Sequence, residues 1–172
     1  MRDRILDGGA YSRTAFQKIN QTATAAGGGD NTEVDGDWID RILSATEEGG
    51  IAHSAKLVIA YTTALGDSDE TLSFAVQFQD ATASDGTGSA DYGDAVATTV
   101  VSTGESGGST ETGTVEVDVN LAGANRYIRS QITPNLSASG TDTCEWSAVL
   151  VLFGHDPVPI TQAIAKVVDD AA

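Results

Sequence analysis

Residues 126–154 read RYIRSQITPNLSASGTDTCEWSAVLVLFG, two alternating runs joined by a polar loop, and this pair limits the possible folds more than any other stretch. In the first run Ile128 and Ile132 fall on one side and Tyr127, Arg129, Gln131 and Thr133 on the other, the period of two that a half-buried strand requires. Pro134 is expected to end it, because it has no N–H to give to a ladder. The second run places Cys144, Trp146, Ala148, Leu150 and Leu152 on one side, and Glu145, Ser147, Val149, Val151 and Phe153 on the other. It ends apolar on both faces, which suits a central strand or one covered by a tail or a neighbouring subunit.

Other segments fit around this pair. Strands are expected at 34–43, 55–63, 71–79, 94–102 and 113–121. In 34–43, Trp38 and Ile42 share one side and Ile39, Arg41 and Leu43 the other. The segment 55–63 is apolar on both faces, with Leu57, Ile59 and Tyr61 against Val58 and Ala60, and belongs inside a sheet. Leu72, Phe74, Val76 and Phe78 point one way from 71–79, and burying each contributes about 1.5–3 kcal/mol before entropy is subtracted. Residues 80–93 and 103–112 read as polar, Gly-containing connections. The last three strands are expected to form a meander.

Seven or so short strands separated by turns give an all-β domain: a two-layer antiparallel β-sandwich of jelly-roll or related Greek-key topology over 34–154. Residues 1–33 read as an N-terminal arm in which Tyr11, Phe16 and Ile19 are the spaced large apolar residues. Residues 155–172 read as a C-terminal tail. It is extended through Pro157 and Pro159 and then helical from Thr161, with Ile164, Val167 and Val168 on the helix. The tail could fold back over the sheet or reach a neighbouring subunit.

Charge narrows the partners. A formal net charge of -16 over 172 residues repels phosphate backbones and anionic lipid, so neither nucleic acid nor membrane is an expected partner. No stretch reaches the ~20 apolar residues of a membrane span, and the N-terminus lacks a secretory pattern, so synthesis in the cytoplasm is expected. The single cysteine, Cys144, reads as a small buried hydrophobe.

Several motifs suggest chemistry and then fail on context. Gly104-Glu105-Ser106-Gly107-Gly108 fits G-x-S-x-G, with His53 upstream, but a nucleophile elbow needs a strand leading into a helix, and this serine lies in a Gly/Ser/Thr loop. Residues 31–36, NTEVDG, open like a calcium loop, yet position twelve, where an EF-hand places a bidentate acid, is Ile42. The acids of 67–70, DSDE, could hold a surface cation but read first as a solvated turn. His53 and His155 have no partner at zinc spacing. Arg126 and Arg129 fall on opposite faces and are expected to pair with nearby acids or cross-strand neighbours. No catalytic residue, cofactor or metal ligand is assigned, and the chain is not expected to be an enzyme.

The succession AKLVIAYTT at 55–63, TLSFAVQFQDATASDG at 71–86, and TGTVEVDVNLAGANRYIRSQITPNLSASGTDTCEWSAVLVLFG at 112–154 resembles the head decoration, or capsid cement, proteins of tailed bacteriophages. The resemblance covers 55–154. It implies a β-sandwich that assembles as a homotrimer on the outside of an expanded capsid, clamps adjacent subunits of the major capsid protein, and so resides in the virion after assembly in the host cytoplasm. A protein that binds only the mature lattice stabilises that lattice by mass action. The contact candidates Phe16, Pro157, Val158, Pro159 and Ile160 come from their apolar character in the arm and tail. The alternative role is a phage tail or fibre module that binds host carbohydrate, which exposed aromatics grouped on one face would favour.

Overall fold

The computed structural model describes residues 12–42, 51–137 and 140–154. Ten strands account for most of them: β1 (Ser12–Thr24), β2 (Val34–Asp35), β3 (Ile39–Asp40), β4 (Ser54–Leu65), β5 (Thr71–Ala81), β6 (Ala90–Ala97), β7 (Ser102–Thr103), β8 (Ser109–Asn120), β9 (Tyr127–Leu136) and β10 (Thr143–Phe153). One sheet has the order β1-β10-β4-β8. The other has the order β2-β9-β5-β6, with β3 added on β9 and β7 on β5. All named pairings are antiparallel, and the two sheets pack as an all-β, jelly-roll-like sandwich, the expected fold class.

The alternation seen in the sequence sets the core. Leu57, Ile59 and Tyr61 of β4, Val115 and Val117 of β8, and Trp146, Leu150 and Leu152 of β10 line one inner face. Leu72, Phe74, Val76 and Phe78 of β5 and Ile128, Ile132 and Leu136 of β9 line the other. Phe74 is the aromatic centre. Its ring lies 5.9 Å from that of Tyr61 and 6.2 Å, edge-on, from that of Trp146, within the range where aromatic pairs add to simple burial. The two-sided apolar runs also find their places: β10 lies between β1 and β4, and β4 between β10 and β8.

Five expectations are corrected, the last of them at Pro134. The first concerns the arm, because 12–24 is an edge strand paired along β10 from Ser12↔Phe153 to Thr24↔Thr143. Its alternation is broken by register shifts between Phe16 and Lys18 and between Lys18 and Gln21, and such bulges hide a strand from a period-two search. Second, the last three strands form no meander: β8 and β10 lie in one sheet, and β9 between them in sequence lies in the other. Third, 34–43 is two short pairings with β9, at Val34–Asp35 and Ile39–Asp40. Fourth, the strand expected at 94–102 begins earlier, at Ala90, ends at Ala97, and resumes only at Ser102–Thr103.

Pro134 does not end its strand, since β9 continues to Leu136 with Pro134 opposite Phe74. The Pro134 carbonyl accepts from the Asn31 N–H at 2.9 Å. In an extended strand the N–H and C=O of one residue point the same way, so the missing donor faces away from β5 and costs that ladder nothing.

Two buried polar side chains tie the sandwich together. Gln17 is 0% exposed. Its Oε1 accepts from the Ser130 N–H and Oγ–H, both at 2.7 Å, and its Nε2 donates to the carbonyls of Phe16 and Asp37. A Cβ at Gly36 would collide with Gln17 Oε1 and with the Ser130 carbonyl, so the glycine of the apparent calcium loop makes room for this bridge. Arg41 is 2% exposed and donates to the carbonyls of Ala52, Leu121, Ala124 and Asn125. It follows the short β3 pairing and is no member of a longer strand face. Burial lowers its pKa, opposed by the nearby Tyr92 and Asp80, and a guanidinium remains charged regardless.

Candidate functional site

The outer faces of the two sheets differ in character. On the four-stranded sheet, Phe16, Val149 and Val58 lie side by side across β1, β10 and β4. Val149 and Val58 are half-buried, whereas Phe16 is 48% exposed and Ile19, on the same edge strand, 54%. Next to them an open groove of about 490 Å³ is lined by Asn20, Gln21, Thr62, Glu145 and Ser147. Asn20 has a φ of 51° and donates its N–H to Ser147 Oγ at 3.1 Å, so the bulge of β1 shapes one wall.

The outer face of the other sheet is a polar network. Arg129 reaches Asp35 at 2.9 Å and donates twice to Gln79 Oε1, whose own Nε2 donates to Asp91. The Arg129 guanidinium also stacks 4.6 Å over the Trp38 ring, and a Cβ at Gly86 would fall 2.5 Å from Trp38 Nε1. Gln131 donates to both Glu33 and Asp35. Arg126, on the other side of β9's alternation, holds Asp40 with two nitrogens and covers the Tyr127 ring at 5.3 Å. Although burial opposes it, the Asp40 carboxyl is held below its usual pKa by the Arg126 and Ile42 N–H donors. Arg126 thus pairs with an acid, and Arg129 with an acid and its cross-strand neighbour Gln79.

The residues of the apparent protease motif are not brought together. His53 precedes the first residue of β4 and bonds through its backbone to Phe153 and Leu121, while Ser106 lies in the exposed turn before Ser109, which pairs with Leu65 at the far end of β4. β4 has 12 residues, and at about 3.3 Å each this separates them by roughly 35 Å, an order of magnitude beyond hydrogen-bonding reach. Among the described residues no three His, Cys, Asp or Glu side chains form a metal-binding group. Of the calcium-like stretch, Asn31 accepts from Asn135 and Glu33 and Asp35 from Gln131.

Cys144 is buried in the core. Burial, with the Glu145 charge beside it, pushes its thiol pKa up to about 12. A thiol is attacked as its thiolate, so we expect no reaction with a thiol reagent in the native state and full reaction after unfolding, measured by absorbance. Fast labelling of the native protein would contradict this placement.

Of the five contact candidates named from the sequence, Phe16 sits on an exposed edge strand, and Pro157, Val158, Pro159 and Ile160 lie outside the described residues. Nothing in the residue pattern marks Gln17, Arg41 or the Arg129–Trp38 stack, because their partners come from segments distant in the chain.

No protein-family model matches the chain, and no curated protein matches it by sequence. Among solved structures, the chain is similar to one from the infectious bursal disease virus Gt strain, with 12% identity, a TM-score of 0.46, and coverage of 86% of this chain and 34% of that one. It is similar to VP2 of an infectious bursal disease virus subviral particle, with 12% identity, a TM-score of 0.44, and coverage of 84% and 32%. A carbohydrate binding module from the glycoside hydrolase family 9 protein Cel9A of Ruminococcus flavefaciens FD-1 matches with 14% identity, a TM-score of 0.40, and coverage of 84% and 98%. The chain therefore spans about a third of the length of the viral chains. At these scores and identities none of the likenesses assigns a role to it.

Proposed function

We propose that the protein is a structural virion protein that binds the outside of a phage capsid and stabilises the mature shell. The observation that carries this reading is the exposed Phe16 on an edge strand, beside Val149 and Val58, with Ile19 exposed on the same strand. An edge strand that exposes large apolar side chains invites another protein chain. A second apolar spot, Val96 and Val100, belongs to β6 and the segment after it, at the opposite edge of the sandwich, since β1 packs towards β9 and β8 towards β7. Two unlike edges suit a heterologous contact that closes into a ring, such as a homotrimer. The major capsid protein is the proposed partner, and no catalytic role is proposed. The net charge of -16 favours docking on a basic protein surface over nucleic acid.

The test is to mix the purified protein with mature capsids and with empty precursor shells. Saturable binding to mature shells with a raised shell melting temperature is expected. Phe16→Asp should weaken that binding by about tenfold or more, from the ~1.5–3 kcal/mol of burying a phenylalanine, and leave the free protein's own unfolding midpoint unchanged. Absence of binding to either shell would sink the proposal.

The second reading, a tail or fibre module for host carbohydrate, is favoured by the polar face around Arg129, Gln79 and Asp91. The Arg129 stack over Trp38 already occupies a ring face on which a sugar would lie. Retention on a glycan array with no shell binding would favour this reading over the first.

A further inference from the structure

At the end of β4 the chain turns through 66–70, and two carboxylates meet there. Glu70 Oε2 accepts from the N–H groups of Gly66 and Asp67. Asp142, which leads into β10 from the other side, places Oδ1 2.9 Å from the same Gly66 N–H. Asp142 is 1% exposed, and its Oδ2 has no hydrogen-bond partner among the described residues. Thr141 Oγ1 shares this corner: a Cβ at Gly66 would sit 2.9 Å from Glu70 Oε2, 3.4 Å from Asp142 Oδ1 and 3.6 Å from that hydroxyl.

A buried carboxylate oxygen with no donor is costly, and a second carboxylate beside it makes ionisation of both costlier still. The corner therefore needs positive charge, as a proton or a metal ion. The ligand atoms are oxygens only, the two carboxylates match a doubly charged ion, and Glu70 is half-exposed, so water can complete a shell. Calcium takes six to eight oxygens in irregular geometry, whereas magnesium demands a near-ideal octahedron.

We propose that Glu70 and Asp142, with Thr141 Oγ1 and water, form a divalent-cation site that prefers calcium. The ion pins the turn after β4 to the segment entering β10. The same Asp142 accepts the Ala25 N–H through its carbonyl at 2.9 Å, so the site also steadies the end of β1. This role goes beyond the proposed shell binding and does not depend on it. The acids at 67–70 show no such site in one dimension, because Asp142 comes beside Glu70 only on folding.

The experiment is scanning calorimetry of the full-length protein at neutral pH, freed of metal with EDTA and then titrated with calcium chloride or magnesium chloride. Calcium at about 100-fold its Kd should raise the unfolding midpoint by roughly 5–10 °C, and magnesium should raise it less. Asp142→Asn and Glu70→Gln should each remove the calcium shift. The amide of Asp142→Asn keeps an oxygen for the Gly66 N–H and gains an N–H for Glu70, so that variant is expected to fold. The proposal is overturned if millimolar calcium leaves the wild-type midpoint unchanged. A midpoint that then falls as pH rises from acid to neutral would identify a shared proton as the corner's positive charge. A calcium shift that survives in both variants overturns the proposal as well.

Discussion

Arg41→Met is expected to lower the unfolding midpoint by about 10 °C or more, a loss on the order of 3–5 kcal/mol. The Arg41 guanidinium sits where 41–42, 51–52 and the 121–125 turn meet, and it donates to four backbone carbonyls. Methionine fills much of the volume and satisfies none of those acceptors, and each acceptor left dry costs about 1–3 kcal/mol. Partial rehydration keeps the sum below the simple total. Arg41→Lys should recover only part of the loss, because a single ammonium cannot span four acceptors. Thermal unfolding followed by circular dichroism checks both, and a midpoint for Arg41→Met equal to the wild type would show that water already serves these carbonyls. The 121–125 turn would also lose its order, since the Asp80 carboxylate that accepts the Asn125 N–H would face it without the neighbouring positive charge.

Phe74→Ala is expected to cost about 3–5 kcal/mol. The ring is 1% exposed and lies between Tyr61 and Trp146 of the facing sheet, so its loss leaves a cavity at the centre of the sandwich that β-strands cannot collapse to fill. Phe74→Leu should cost less, on the order of 1–2 kcal/mol, because it keeps most of the volume. Equilibrium unfolding measures both, and near-equal values for Ala and Leu would argue that the site relaxes. Against a total stability of about 5–15 kcal/mol for a domain, either this change or the Arg41 change removes a large share.

The edges show where sequence reading stops. The 12–24 strand is hidden in one dimension because its two bulges break the period of two and its single buried large side chain before Ala23 is a glutamine. Gln17 looks like a surface residue there. Only when Ser130 of β9 and Asp37 are brought beside it does it gain three bonds beyond the local one to the Phe16 carbonyl. The same holds for Glu70 and Asp142, whose acidity is plain in the sequence and whose proximity is not. Phe16 is legible as an apolar residue in polar surroundings, and that is the part of the candidate shell-binding surface the sequence could offer.

Alternation alone determined which side chains of β5, β8, β9 and the start of β10 face the core, because a strand's side chains must point to opposite faces and burial takes the apolar set; β4 and the end of β10, apolar on both faces, had theirs chosen by the fold. Alternation also determined that the chain is all-β and two-layered. Which sheet each strand joined was decided only in three dimensions. Consecutive β8, β9 and β10 cross from one sheet to the other and back, since pairing is chosen by backbone partners and turn reach that no single strand encodes. The buried polar bridges and the carboxylate corner were decided there too. A hydrogen bond or a shared charge belongs to two residues at once, and only the folded chain says which two.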